Sequence, residues 1–119
     1  DQPRSRGLGD VYKRQIEKDK VVGFLYLKQT GKDTVELAVM GVLKEYHRKG
    51  IGRALFEYAK ESIKESGYSF IQVKTVKMGM YKDYDCTNRF YISLGFKEFE
   101  VIYTLWDENN PCQIYVMGI

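Results

Sequence analysis

The chain has 119 residues, of which 44% are hydrophobic and 29% charged, and its formal net charge is +3. This length favours one domain with a real core, and no apolar run approaches the ~18 residues that a membrane span needs. A single histidine, His47, argues against a zinc site or a serine–histidine triad, and Cys86 and Cys112 lack metal-type spacing. We therefore expect a cytoplasmic globular protein without a metal site.

The first fifteen residues, "DQPRSRGLGDVYKRQ", differ in composition from the rest of the chain. They are polar and basic, carry two of the three net positive charges, and show neither helical nor strand periodicity. They also lack the apolar segment of a secretory signal. We interpret residues 1–15 as a non-native or disordered leader and residues 16–119 as the folded domain. The small charge of that domain does not indicate nucleic-acid binding.

Residues 20–43 have the pattern of a β-hairpin. The segments "KVVGFLYLKQ" and "TVELAVMGVL" are rich in strand-forming residues and flank the turn cluster "TGKD". Gly41 lies inside the second segment, where a glycine commonly marks a bulge or the close approach of another molecule to the backbone. The sequence therefore predicts two paired strands with a bulge at Gly41.

The segment after Gly50 has helical periodicity. Its apolar residues recur at intervals of three and four, and they are Ile51, Ala54, Leu55, Tyr58, Ala59 and Ile63. Gly67 ends the pattern. Gly50 and Gly52 thus stand at the start of a predicted helix, although each glycine costs about 1 kcal/mol relative to alanine in a helix interior.

The rest of the chain predicts a strand, a short helix and two further strands. The strand is "YSFIQVKTV", and the helix is "DCTNRFYISLGF", with Thr87 or Asp85 as its cap and Gly95 as its stop. The turn "DENNP" separates two antiparallel strands at the end. The order β-β-α-β-α-β-β predicts a mixed α/β fold with helices packed on the sheet.

A helix start opened by glycines suits a bound anion. The first four N–H groups of a helix lack partners, and the macrodipole leaves about half a positive charge there. Gly50 and Gly52 remove side chains that would obstruct the site, while Arg48, Lys49 and Arg53 add full charges. The spacing alone equally allows an alternative to an anion site, namely a flexible glycine-containing turn that is flanked by solvated basic residues.

Two motifs resemble those of the GNAT superfamily of acyl-CoA N-acyltransferases. The segment "VLKEYHRKGIGRAL" is similar to the family's phosphate motif, Gln/Arg-x-x-Gly-x-Gly/Ala after a bulged strand, with His47 in place of Gln or Arg. The segment "NRFYISLGF" is similar to the family's FYxxLGF helix. The common alternatives fit less well, because a P-loop requires a hydroxyl residue after its lysine and a dinucleotide fingerprint requires a glycine where Leu55 stands.

The resemblance covers residues 20–119 and implies a mixed, mostly antiparallel sheet with a splayed, bulged central strand and flanking helices. It also implies that the family's usual first strand and helices are missing from the chain. The implied cofactor is acetyl-CoA. The implied cofactor-binding residues are Met40, Gly41 and Val42 on the strand, and Arg48, Lys49, Gly50, Ile51, Gly52 and Arg53 in the loop.

The resemblance also implies two catalytic residues. Glu36 is similar in position to the general-base glutamate of several GNAT enzymes, and burial among Val35, Leu37 and Val39 would suit that role. Tyr91, four residues before Gly95, stands where the family places its general acid. A solvent-facing strand carboxylate and a core tyrosine with a solvated hydroxyl are the respective alternatives. The implied oxyanion donor is a backbone N–H near Val42.

The sequence gives little information about the site that binds the acceptor amine. Tyr84, Asp85 and Trp106 are candidate contacts for a cationic amine, with solvated loop charges beside core aromatics as the alternative. The sequence departs from the family where Tyr84 replaces a common Asn, where Asn88 replaces a small apolar residue, and where Gln72 replaces a glutamate found in many members.

The resemblance implies an N-acetyltransferase that transfers the acetyl group of acetyl-CoA to a primary amine of a small molecule or protein. The transfer would be a direct attack in a ternary complex. A non-catalytic acyl-CoA-binding or interaction module is the alternative, and a fragment that pairs through an exposed edge strand is a third possibility. We expect neither a nucleic-acid nor a membrane partner, and a homodimer is a further option.

Overall fold

The structure, a computed structural model, describes residues 10–17 and 20–119, with side chains from Val21 onward. The strands, in chain order, are β1 (Asp10–Glu17), β2 (Lys20–Gln29), β3 (Thr34–Val42), β4 (Phe70–Val76), β5 (Lys97–Asp107) and β6 (Asn110–Gly118). The α-helices are α1 (Ile51–Glu65) and α2 (Lys82–Leu94), and a 3-10 turn, Lys44–Tyr46, follows β3. Neither α-helix in these ranges is long and apolar enough to cross a membrane.

The first strand begins inside the segment that composition assigns to a leader. Residues 10–15 belong to β1, which pairs antiparallel with β2 from Asp10 opposite Lys28 to Glu17 opposite Lys20. These six residues are therefore not disordered, because pairing with β2 supplies the backbone partners that their own pattern does not predict. A non-native origin and the boundary at residue 15 remain predictions. Residues 1–9 of the proposed leader lie outside the described residues.

Two compact units follow one another along the chain, with their boundary inside β4, after Ile71. The first has the strand order β1-β2-β3 and contains α1, and the second has the order β4-β6-β5 and contains α2. β1 and β2, β2 and β3, and β5 and β6 pair antiparallel. The predicted mixed α/β class is thus confirmed, while one domain over residues 16–119 and a splayed central strand remain predictions.

In the first unit, α1 packs against the strands of the hairpin. The buried residues of α1 are Ile51, Leu55, Phe56, Ala59 and Ile63. The predicted apolar face is wrong at Tyr58, which is 61% exposed, and it omits Phe56, which is 1% exposed. A Cβ atom at Gly23 of β2 would lie 3.1 Å from Leu55 Cδ1, so this glycine lets the first turns of α1 approach β2 closely.

In the second unit, α2 begins earlier than the sequence predicts. Tyr81 precedes its first turn and no side chain caps it, so the predicted caps Asp85 and Thr87 are both wrong. The Thr87 hydroxyl instead donates to the Asp83 carbonyl one turn earlier, at 3.3 Å. Gly95, with a φ of 109°, ends the helix as predicted, because this left-handed conformation favours glycine.

Candidate active site

The loop before α1 has the backbone geometry of an anion site. Gly50, the residue before the first turn, has a φ of 78°, and Arg48 has a φ of 63°. A Cβ atom at Gly50 would meet no other atom within 4 Å, so the space beside its backbone is open. The chain therefore uses glycine here for its left-handed conformation and for the free space that it leaves.

Five consecutive amides at this point have no partner among the residues that the structure describes. In the described part of the chain, no acceptor lies within hydrogen-bonding distance of the backbone N–H groups of Arg48, Lys49, Gly50, Ile51 and Gly52. The first bond of the helix is donated by the Ala54 N–H to the Gly50 carbonyl, at 2.9 Å. Unpaired amides at a helix start are the donors that phosphate oxygens accept from.

The charges around these amides have one sign. Arg48, Lys49 and Arg53 are exposed, and the first turn of α1 contains no acidic residue. The Lys49 ammonium lies 5.1 Å from the centre of the Tyr46 ring, which holds its positive charge beside the loop. Open backbone, unpaired amides and basic side chains together fit the diphosphate of coenzyme A.

His47 links this loop to the end of β3. Its Nε2 lies 2.7 Å from the Val42 carbonyl oxygen, and because a carbonyl only accepts, this nitrogen carries the proton. His47 and Val42 thus lie on either side of the 3-10 turn in the chain and are joined across it. Just before the turn, the Leu43 N–H donates to the Val22 carbonyl of β2 at 2.8 Å. In the sequence, the only signal of this role is the replacement of Gln or Arg by His47.

The predicted bulge in β3 is displaced from its predicted position. Leu37 pairs with Leu27 and Val39 with Tyr26, so the extra residue is Ala38 and not Gly41. Gly41 pairs with Phe24 of β2, and a Cβ atom at Gly41 would lie 2.9 Å from the Phe24 ring. The glycine is required by that ring, a neighbour that the sequence pattern does not reveal.

The other predicted residues of β3 follow from its register with β2. Met40 pairs with Leu25 and Val42 with Gly23, so both lie near the end of β3 that leads to the loop. All three of Met40, Gly41 and Val42 are half-buried. One acceptor position of the Val42 carbonyl is used by His47.

Glu36 occupies the opposite end of β3, where it pairs with the exposed Lys28. Val35 and Leu37, its neighbours in the chain, are 0% and 3% exposed and point to the other face of the strand. Glu36 is half-buried, and Val39 is 49% exposed. The expectation that apolar neighbours bury Glu36 is therefore wrong, because alternation places Val35 and Leu37 away from it.

Tyr91 lies on α2 and is 9% exposed. Its ring packs against those of Phe90, Phe96 and Tyr115, with centroid distances of 5.9, 5.8 and 6.4 Å. Burial raises the pKa of the Tyr91 phenol, so the group stays protonated at neutral pH. Among the described residues, no hydrogen-bond partner is present for its hydroxyl, which is unusual for a buried polar group.

Asn88 forms a buried polar cluster that the sequence does not predict. It is 0% exposed, and its Nδ2 donates to the carbonyls of Val76 and Tyr84, at 2.8 and 2.6 Å. Its Oδ1 accepts from the Tyr115 hydroxyl at 2.6 Å. These bonds join β4, α2 and β6 within the second unit, so Asn88 is a structural residue of its core.

The three predicted acceptor contacts all lie in the second unit. Tyr84 is 44% exposed and stacks edge-on to Tyr81 at 5.9 Å, and Trp106, near the end of β5, is 45% exposed. The Asp85 carboxylate instead accepts from the Gly79 N–H at 2.7 Å and so supports the loop before α2. Only the two aromatic side chains present a large exposed surface.

A model of the acetyltransferase (GNAT) domain matches residues 11–98 of this chain. The chain belongs to the GNAT acetyltransferase family. An uncharacterized N-acetyltransferase of Chlorobaculum tepidum is 29% identical over 104 residues, which cover 85% of this chain and 57% of that protein. This chain thus spans little more than half the length of that relative.

Solved GNAT structures share the fold. A GNAT-family protein from Desulfovibrio desulfuricans has a TM-score of 0.85 at 22% identity, covering 92% of this chain and 69% of its own. An aminoglycoside 6'-N-acetyltransferase complexed with coenzyme A has a TM-score of 0.79 at 18% identity, covering 94% and 74%. A GNAT acetyltransferase from Elizabethkingia anophelis with acetyl-CoA bound has the same TM-score at 14% identity, covering 93% and 77%.

The departures of this GNAT chain from its family's motifs have structural explanations in two places. Asn88 stands at the position that resembles a small apolar residue of the family motif, and its polar atoms are paired with groups of its own unit. The motif position of Gln or Arg holds His47, whose ring nitrogen binds the end of β3. Each side chain binds backbone carbonyls of its own unit.

Proposed function

We propose that this protein is an N-acetyltransferase that moves the acetyl group of acetyl-CoA to a primary amine of a small molecule or protein. The observation that carries the proposal is the row of amides at the start of α1, around the left-handed Gly50, for which residues 10–17 and 20–119 supply no acceptor. Amides that lack an acceptor in the described part of the chain, beside exposed basic residues, suit a bound diphosphate. Family membership and the GNAT neighbours solved with coenzyme A or acetyl-CoA support the same cofactor.

The cofactor half of the site is built in the first unit. The amides from Arg48 to Arg53 bind the diphosphate, and the basic side chains of the loop neutralise its charge. The backbone of Met40, Gly41 and Val42 offers hydrogen bonds to the cofactor arm and to the acyl carbonyl. Acetyl-CoA supplies the thioester, whose C–S bond breaks in the transfer.

Two side chains handle the protons. Glu36 accepts, through water, the proton that the acceptor ammonium must lose before its nitrogen can attack. Tyr91 donates its phenolic proton to the departing sulfur as the new C–N bond replaces the C–S bond. The unpaired hydroxyl and raised pKa of Tyr91 support this role, since the group keeps its proton and has no competing partner among the described residues.

The acceptor is proposed to be cationic. Tyr84 and Trp106 present half-exposed aromatic rings in the second unit, which can attract an ammonium group. Asp85 is less suited to this task, because its carboxylate already accepts from the Gly79 amide. A cytoplasmic location and a homodimer remain proposals from the sequence.

Thiol release from acetyl-CoA tests the proposal, measured with and without a panel of primary amines, beside calorimetry with coenzyme A. We expect micromolar binding of coenzyme A and thiol release that depends on an amine. Glu36→Gln should lower kcat, with the largest loss at low pH, where less of the amine is free. Binding without turnover across the panel would favour a non-catalytic acyl-CoA-binding module, and no binding would reject both functions.

A further inference from the structure

We propose that His47 is a positioning residue, which holds the anion-binding loop in shape by tying it to the last residue of β3. The inference rests on the proposed function, because the ligand of that loop is taken to be the diphosphate of coenzyme A. It assigns to His47 a role through Val42 and the backbone, and not a contact with the substrate.

Both ends of the loop are fixed on β2. At the β3 end, Val42 pairs with Gly23, and the Leu43 N–H donates to the Val22 carbonyl at 2.8 Å. At the helix end, Ile51 packs on the same glycine, since a Cβ atom at Gly23 would lie 3.2 Å from Ile51 Cγ2. Between these ends, His47 ties the loop to β3, because its Nε2 lies 2.7 Å from the Val42 oxygen.

The residue after His47 shows why an anchor is needed. Arg48 has a φ of 63°, a left-handed conformation that is unfavourable for a residue with a side chain. Such a conformation persists only where the surrounding structure imposes it. His47 constrains the backbone immediately before Arg48. Two residues after Arg48, the left-handed Gly50 leads the backbone into α1. Without the bond from His47, the loop could relax and turn its amides away from a common point.

The hydrogen bond also limits what His47 can do. Because Nε2 carries its proton toward the Val42 carbonyl, this nitrogen is not available as a base or as a ligand donor. The same bond forms in the neutral Nε2-protonated tautomer and in the imidazolium. A glutamine at this position could supply an equivalent donor from its side-chain amide, whereas leucine could not.

The test compares His47→Leu with His47→Gln, and uses Lys44→Ala in the neighbouring 3-10 turn as a control. Amide hydrogen exchange is measured in the free protein at residues 46, 47 and 54, whose N–H groups donate to backbone carbonyls at the two ends of the loop. Coenzyme A affinity is measured by calorimetry. His47→Leu should speed exchange about tenfold and weaken coenzyme A binding about five- to tenfold, as expected for one lost hydrogen bond. His47→Gln and Lys44→Ala should stay within about twofold of the unchanged protein. His47 is exposed, so folding is not at risk.

Turnover and tautomer measurements separate positioning from other roles. The KM for acetyl-CoA should rise in His47→Leu while kcat is retained, and nitrogen NMR should find the neutral ring protonated at Nε2. Unchanged exchange in His47→Leu, an equal loss in His47→Gln, or an Nδ1-protonated ring would overturn the inference. If exchange depends on His47 but the unchanged protein does not bind coenzyme A, the proposed function fails and the positioning role stands.

Discussion

The start of α1 and the interior of the second unit differ in how their polar groups are paired. Before α1, the amides from Arg48 to Gly52 find no acceptor in the described part of the chain. Around Asn88, both side-chain hydrogens and the side-chain oxygen are used within 2.8 Å. The first arrangement is stable because it faces water, and it is available to an anion. The second is buried, where an unpaired group would cost about 1–3 kcal/mol.

The same contrast separates two tyrosines of the second unit. The Tyr115 hydroxyl donates to Asn88. Burial raises the pKa of this hydroxyl, and the Glu98 carboxylate raises it further. Tyr91, whose ring centre lies 6.4 Å away, has a raised pKa from burial but no hydroxyl partner among the described residues. Pairing therefore favours a structural role for Tyr115, while the acid role of Tyr91 stays a proposal.

The largest expected effect is on turnover and involves these two tyrosines. Tyr91→Phe should lower kcat about 100-fold or more, because general acid catalysis is lost, with coenzyme A affinity and stability retained. Tyr115→Phe is the matched control. It should keep kcat within a few-fold while losing about 1–3 kcal/mol of unfolding free energy, since Asn88 Oδ1 is left unpaired. Steady-state kinetics and denaturant titration of both variants measure the contrast, and equal kcat values would remove the acid role.

The second effect is on stability and tests the role of Asn88. Asn88→Ala should lower the free energy of unfolding by about 3 kcal/mol or more, because it leaves the buried Tyr115 hydroxyl without its acceptor and removes the side-chain donor to the Val76 carbonyl. Asn109→Ala, at an exposed turn, should change it by less than about 0.5 kcal/mol. Combining Asn88→Ala with Tyr115→Phe should cost less than the sum of the two, and strict additivity would show that the cluster is not coupled.

The smallest effect concerns the left-handed glycines. Gly50→Ala and Gly79→Ala should each lose about 1–2 kcal/mol of unfolding free energy, because φ is 78° and 102° and a side chain disfavours this left-handed conformation. No steric clash adds to this loss, since neither Cβ would meet another atom within 4 Å. Only Gly50→Ala should also weaken coenzyme A binding, by about tenfold. Calorimetry and denaturant titration on both variants check this. Equal binding by the two would mean that the diphosphate does not lie against Gly50.

The sequence predicts the parts of the fold that depend on neighbours in the chain. The hairpin of β2 and β3, the start of α1 after Gly50 and the stop at Gly95 all follow from local patterns of apolar residues and glycines. The anion site is predicted for the same reason, because unpaired amides are a property of any helix start. The roles of Glu36 and Tyr91 remain predictions, and only their surroundings are described.

Contacts between segments distant in the chain explain what the sequence does not predict. The Phe24 ring, opposite Gly41, leaves no room for a Cβ atom at that position. The bulge at Ala38 belongs to the pairing of β3 with β2, whose register shifts there. Asp85 is drawn to the Gly79 amide and so is neither a helix cap nor a free carboxylate. Local composition does not record such partners, which the packing of strands and helices brings together.

By itself, the sequence determined that a glycine-rich, basic turn would open a helix after a hairpin, because backbone conformation and helix polarity act over a few residues. Only the tertiary structure decided which polar side chains are used up inside the protein and which are left for a ligand. That division depends on whether a partner from another strand or helix arrives within hydrogen-bonding distance, as it does for Asn88 and for His47.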